Sequence, residues 1–251
     1  MDEEYLQLLI DLHRSNPRQG PGGTAETDKA MMLAGLDRSR FLTIADIGCG
    51  TGASTIQLAR KLDAKITAVD LIPEFLEELQ VRAHQDQVAP AITTLNCSMD
   101  ALPFDHEQFD VIWSEGAIYL IGFEAGVSAL RRFLKPGGAL VVSELTWLSA
   151  ERPVALQSHW EAEYPEVDLA SAKINILERH GYSPEGYFYL PANCWLDNYY
   201  HPLQRGFASF LQRSGASSPA REIVEGEKVE IALYEKYQNY YSYGFYITRK
   251  L

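Results

Sequence analysis

The sequence predicts a single α/β domain, a three-layer sandwich with a seven-stranded, mostly parallel sheet, an antiparallel C-terminal strand and helical lid insertions. Three observations carry this. Apolar, β-rich runs alternate with helix-period stretches over the first 145 residues, the pattern of successive βαβ units. A glycine-rich turn stands where the first strand should enter the first helix. Two further strand-like runs follow a long aromatic, helix-rich region.

Residues 41–47, 65–69, 91–96, 109–113 and 139–143 read as strands one to five, because β-branched and aromatic residues cluster there between turn formers. Between them, residues 54–62, 73–85 and 123–133 place apolar side chains at helical spacing. Lys135-Pro136-Gly137-Gly138 predicts a helix stop followed by a tight turn. Residues 182–190 and 243–249 then predict two strands that pair like a hairpin around an insertion at 191–240. Within the insertion, a loop at 214–219 leads into a helix over 219–240, and so long an interruption suggests a lid. The expected layout is an N-terminal helical cap over residues 1–40, a cofactor-binding core over 41–145, and substrate-side helices and last strands over 146–251.

A net charge of −12, from 22 basic against 34 acidic residues, argues against a nucleic-acid backbone as partner. No apolar run is long enough to span a bilayer, and the acidic start at Asp2, Glu3 and Glu4 is unlike a signal peptide. A cytoplasmic protein that acts on a small molecule is therefore expected. Cys49, Cys97 and Cys194 form no CxxC pair and no even set, so neither a disulfide framework nor a metal site is expected.

Asp46-Ile47-Gly48-Cys49-Gly50-Thr51-Gly52 occupies the strand-to-helix junction. Glycines there let the backbone approach a ligand, and the following helix offers free N–H groups. Taken alone the loop also satisfies the looser dinucleotide pattern through Gly48, Gly50 and Ala53. Asp70 ends the second strand, where a carboxylate can accept both hydrogens of a ribose diol or cap the next helix.

Together with Leu102-Pro103-Phe104, Phe109-Asp110 and the Lys135 to Gly138 turn, these residues resemble class I S-adenosylmethionine-dependent methyltransferases over residues 42–144. Within that class the chain looks most like the branch around the ubiquinone and menaquinone C-methyltransferases. The resemblance implies a Rossmann-like fold with S-adenosylmethionine as cofactor and S-adenosylhomocysteine as product. It implies that Asp46 and the Gly48-Cys49-Gly50 backbone meet the methionine part, Asp70 the ribose and Leu71 the adenine. Many relatives carry Gly-Asp-Ala before Leu-Pro-Phe, whereas this chain has Ser98 at the Asp position, followed by Met99. Ser98 and Met99 are then the expected partners of the adenine amine. Ser114-Glu115-Gly116 would meet the methionine end. The glycine-rich segment Arg18 to Gly23, with Gly20 at its centre, is either a cover over the cofactor or a linker.

A sulfonium methyl is already activated, so the protein has chiefly to align an acceptor and exclude water. Twelve of the fourteen tyrosines lie at or after Tyr164, enough rings to wall an apolar pocket or a homodimer face. Tyr119, Trp147, Trp160, Asn193 and Trp195 are the candidate acceptor contacts. If the acceptor must lose a proton, Glu115, Glu144 and His159 are the candidate bases, with Tyr119 and His201 behind them. Two other readings remain open on the residues alone. One is a non-catalytic S-adenosylmethionine-binding protein, and the other an NAD-dependent oxidoreductase, which the glycine loop by itself allows.

Overall fold

The computed structural model describes residues 3–251; Asp2, part of the acidic start, lies outside them. Five strands run parallel: β1 (Leu42–Ile47), β2 (Ala64–Asp70), β3 (Ile92–Asn96), β4 (Phe109–Glu115) and β5 (Leu134–Trp147). A two-residue strand, β6 (Asp168–Leu169), pairs with the far end of β5. β7 (Tyr182–Tyr189) and β8 (Tyr241–Lys250) complete a sheet of order β3-β2-β1-β4-β5-β8-β7, in which β8 runs antiparallel to both neighbours. The mostly parallel α/β sandwich expected from the sequence is therefore present, with β6 as an eighth strand too short to leave a periodic signal.

Successive side chains of a strand point to opposite faces, and this alternation builds two cores. Ile44, Ile66, Val111, Trp113 and Val141 pack under α2 (Thr24–Leu33), α3 (Ala53–Lys61) and α4 (Pro73–Gln85). Their neighbours Ala45, Ile47, Val69, Ile112, Leu140 and Val142 pack under α5 (Phe123–Leu130) and α7 (Ala170–Arg179). Each fully buried aliphatic side chain contributes about 1.5–3 kcal/mol relative to exposure. A third cluster holds α1 (Glu3–Arg14) and α6 (Val154–Glu163) against the insertion. The insertion itself is α8 (Ala192–Trp195), continued by a π-helical turn at Leu196–Tyr200 into α9 (His201–Arg213), then α10 (Ser218–Tyr237).

Two expectations are corrected. Lys135 to Gly138 are not a tight turn between helix and strand but a bulge within β5, since Leu134 pairs with Phe109 and Ala139 already with Val111. Pro136 cannot donate to the ladder, Gly137 sits at φ 70°, and Lys135 Nζ bonds Asp110 Oδ2 at 2.8 Å across the gap. The fifth strand also runs on to Trp147, because β8 pairs with it continuously from Ala139 to Trp147.

Candidate functional site

The glycine turn lies at the carboxyl end of β1. Gly48 and Cys49 both donate their backbone N–H to Val69 O, at 2.8 and 2.9 Å, which folds the turn back over β2. Gly48 has φ 72°, and a Cβ on it would stand 2.3 Å from the Ala117 Cβ, so only glycine lets the turn close against the end of β4. Asp70 fastens the arrangement. Its Oδ2 accepts from Gly50 N at 2.8 Å and its Oδ1 from Ile72 N at 2.9 Å, and burial raises its pKa. Each oxygen keeps a further lone pair.

Asp46 lies beneath the turn, fully buried. Its Oδ2 accepts from Thr55 Oγ1 at 2.6 Å and Ser54 Oγ at 3.1 Å, while Oδ1 has no partner among the described residues. Burial pushes its pKa up to about 7. Ser54 lines the cleft above, so this carboxylate is separated from it by one hydroxyl.

That cleft, about 460 Å³ in volume, brings together Gly20, Gly48, Cys49, Gly50, Asp70, Glu115, Gly116 and Tyr119 of the residues expected from the sequence. The segment around Gly20 is an anchored strap. Gln19 Oε1 accepts from Thr51 N and Thr51 Oγ1 at 2.9 and 2.8 Å, and Arg18 Nη1 donates to Glu115 Oε2 at 3.0 Å. Gly22 N donates to Cys194 O at 3.3 Å, and Asn198 Nδ2 donates to Gly22 O at 2.8 Å. From α4, Arg82 reaches the Arg14, Asn16 and Pro17 carbonyls and Thr51 Oγ1.

Several expected residues are held by the protein itself or lie outside the cleft. Glu115 lines the cleft, but Oε1 accepts from Thr27 Oγ1 and Trp113 Nε1, both at 2.9 Å, and Oε2 holds Arg18. Both of its oxygens are thus engaged by protein donors. Ser114 is buried and donates to Ile47 O at 2.8 Å, tying β4 to β1. Met99 approaches Gly48, its methyl 3.5 Å from where a Cβ would stand, but neither Met99 nor Ser98 lines the cleft, and Leu71 is 66% exposed.

Glu144 is wholly buried and does not line the cleft. Its Oε1 accepts from Leu145 N at 2.9 Å and its Oε2 has no partner among the described residues. Burial pushes its pKa up to about 7. His159 packs edge-on against Trp160 on α6, outside the cleft, and His201 pairs with Asp197 on the surface. Trp147 and Trp160 pack around Tyr241. Trp195 is core: its Nε1 donates to Ser242 Oγ at 2.9 Å and its ring stacks on Tyr234 at 4.3 Å. Asn193, beside it, is exposed and does not line the cleft. A rim built from this segment is thus replaced by a packed aromatic layer.

Sequence reasoning missed His13, Tyr199 and Glu227, which complete the cleft wall. His13 and Glu227 stand 214 positions apart, so no local spacing announces them. All three cysteines are free. Among the described residues no helix is long and apolar enough to cross a membrane, and no His, Cys, Asp and Glu cluster could hold a metal ion.

Residues 44–138 match the family described as a methyltransferase domain. Malonyl-[acyl-carrier protein] O-methyltransferase of Enterobacter lignolyticus is 30% identical over 132 residues, covering 52% of this chain and 49% of that protein. The chain spans about half the length of several curated relatives it matches. Among solved structures, the S-adenosyl-L-homocysteine complex of a SAM-dependent methyltransferase from Geobacter sulfurreducens superposes with a TM-score of 0.84 at 16% identity, covering 100% of this chain and 99% of that one. The [4+2]-cyclase SpnF superposes with a TM-score of 0.77 at 19% identity, over 98% and 92% of the two chains. The match over residues 44–138 supports the resemblance to the class I S-adenosylmethionine-dependent methyltransferases, and the superpositions show that the chain shares their fold.

Proposed function

We propose that this chain is an enzyme that binds S-adenosylmethionine at the carboxyl ends of β1, β2 and β4 and methylates a small molecule. The bond between Gly50 N and Asp70 Oδ2 carries this reading, because it fixes a glycine turn and an acidic acceptor together on the floor of one cleft. The spare lone pairs of Asp70 suit a ribose diol. The Gly48 backbone suits close approach of a ligand, and the Asp46 carboxyl, reached through Ser54, is one that an ammonium group above it would hold ionised. A buried carboxyl with one oxygen left without a donor supports the fit, since a cation nearby would offset the cost of its charge.

When bound, the cofactor supplies a methyl group already activated on a sulfonium. The protein's share is to bind, orient and exclude water. The strap covers one side of the cleft, held by Arg18 and Gln19, while Leu6, Leu9, Ile10 and Leu120 make the acceptor end apolar. The net charge of −12 favours a small acceptor over a nucleic acid.

The resemblance to a cyclase in fold shows that the fold alone does not fix the reaction. Calorimetric titration with S-adenosylmethionine, S-adenosylhomocysteine and NAD, repeated with Asp70→Ala, tests the site. The two sulfur nucleotides should bind, and weaken in the variant. Binding of NAD alone would overturn the assignment, and acceptor-dependent release of S-adenosylhomocysteine would separate an enzyme from a binding protein.

A further inference from the structure

We propose that Arg82, on α4 and outside the cleft lining, is a positioning residue for the cofactor site: it clasps the end of α1 and the strap to the glycine turn, so that turn and strap open and close as one unit. This rests on the cofactor reading above. A guanidinium carries five N–H donors in a planar fork, and those of Arg82 reach five acceptors. Nε donates to Glu78 Oε1 at 2.8 Å, one turn back on α4. Nη1 donates to Thr51 Oγ1 at 2.7 Å and to Pro17 O at 3.1 Å. Nη2 donates to Asn16 O at 3.1 Å and to Arg14 O at 3.3 Å. The side chain is 20% exposed, so these bonds are partly sheltered from water.

The carbonyls of Arg14, Asn16 and Pro17 lie at and just beyond the end of α1. Carbonyls at a helix end have no partner within the helix, and no residue from Ser15 to Gln19 takes the left-handed conformation that commonly closes one. Arg82 closes α1 instead, with a positive charge at the negative end of the helix dipole. Its bond to Thr51 joins this end to the cofactor side. Thr51 is fully buried just before α3 and donates its own hydroxyl hydrogen to Gln19 Oε1 at 2.8 Å. Gln19 Nε2 donates at 3.3 Å to Asn16 O, the carbonyl that Arg82 also holds. Arg82, Thr51, Gln19 and Asn16 thus form a closed ring of hydrogen bonds in which each bond polarises the next. The ring lies against Gly50. Gln19 Oε1 is 2.7 Å from where a Cβ on Gly50 would stand, and Gly50 N holds Asp70. Opening the ring therefore loosens the turn that fixes Asp70 together with Gln19 and Gly20, the strap residues that line the cleft. Lysine cannot replace the arginine, since an ammonium offers three donors from one point and cannot span acceptors on two sides.

The test measures amide hydrogen exchange and S-adenosylhomocysteine affinity on the full chain with Arg82→Gln, Arg82→Lys, Gln19→Ala and the double variant Arg82→Gln/Gln19→Ala. Two amides report the clasp without ligand: Thr51 N, bonded to Gln19 Oε1, and Gly22 N, bonded to Cys194 O at the far end of the strap. Both should exchange at least about 10-fold faster in Arg82→Gln and Arg82→Lys, while the amides of β1 and β2 keep their rates. Affinity should fall by a similar factor. The double variant should bind no more weakly than the worse single one, because either change alone opens the ring. Faster exchange at Thr51 alone, acceleration shared by β1 and β2, unchanged affinity, a lysine that behaves as wild type, or additive losses in the double variant overturns the clasp. If Arg82→Gln does not fold, Arg82→Lys and Gln19→Ala carry the comparison. A wild type that fails to bind S-adenosylhomocysteine overturns the cofactor reading alone, since the exchange rates still report the clasp.

Discussion

Replacing Glu115 by Gln separates an anchor from a base. The Arg18 and Glu115 side chains are 13% and 8% exposed, so solvent screens their pair weakly. The amide oxygen can keep the bonds from Thr27 and Trp113, but the amide nitrogen then faces the Arg18 guanidinium, donor against donor. A lost charge-assisted hydrogen bond costs about 1.5–3 kcal/mol, or about 10- to 150-fold in the ratio of closed to open strap. The Gly22 amide, bonded to Cys194 O across the closure, reports this ratio directly. Its hydrogen exchange should accelerate by about that factor, with S-adenosylhomocysteine affinity falling by up to the same factor. Unchanged exchange and affinity together with abolished turnover would refute the reasoning and return Glu115 to the role of base.

Other outcomes follow from the same geometry. Asp70→Ala should weaken S-adenosylhomocysteine binding by at least about 10-fold, since it removes charge-assisted acceptors and releases Gly50 N; calorimetry reads it. Trp195→Ala should destabilise the fold by about 3–5 kcal/mol in urea unfolding, because a fully packed ring bonded to Ser242 is lost, while the remaining folded protein keeps its cofactor affinity. Stability should fall as pH rises from about 4 to about 7. Burial holds the Asp46 and Glu144 carboxyls protonated in the folded state up to about 7, whereas the unfolded chain releases those protons near the ordinary values of 3.8 and 4.5. For Glu144 that amounts to about 3 kcal/mol, present below pH 4.5 and lost by pH 7. Unfolding at pH 5 and pH 8 should show the slope, and Glu144→Gln should flatten it.

The core of the fold was legible because its signals are local. β1, the glycine turn, α3 and β2 follow one another within thirty residues, and each carries its own periodicity or glycine. α4 begins at Pro73 and ends at Gln85, as its apolar spacing requires. The glycine-turn wall of the cleft was legible for the same reason, with Gly48, Gly50 and Asp70 at fixed offsets along one βαβ unit. The opposite wall was not. His13, Tyr199 and Glu227 meet through the packing of α1 on α9 and α10, which depends on a third core that has no sequence signature. Trp195 was misread as a rim residue because an aromatic, amide-rich run looks alike whether its rings face a ligand or one another. The β5 bulge was read as a turn because proline and glycine mark both, and only the pairing of Phe109 and Val111 across it distinguishes them.

The walls of the cleft are contributed by segments synthesised far apart in time. α1 and the strap leave the ribosome before any strand of the sheet, while α10, which carries Glu227, emerges only after β7. A nascent chain can therefore complete the β1 to β5 sheet while α1 has α4 to pack against but still lacks α9 and α10. During that interval Leu12, buried in the finished protein among residues of α9 and α10, has yet to gain those neighbours. Biosynthetic order thus makes a complete cleft wall a late mark of maturation, one that a chain released before α10 lacks.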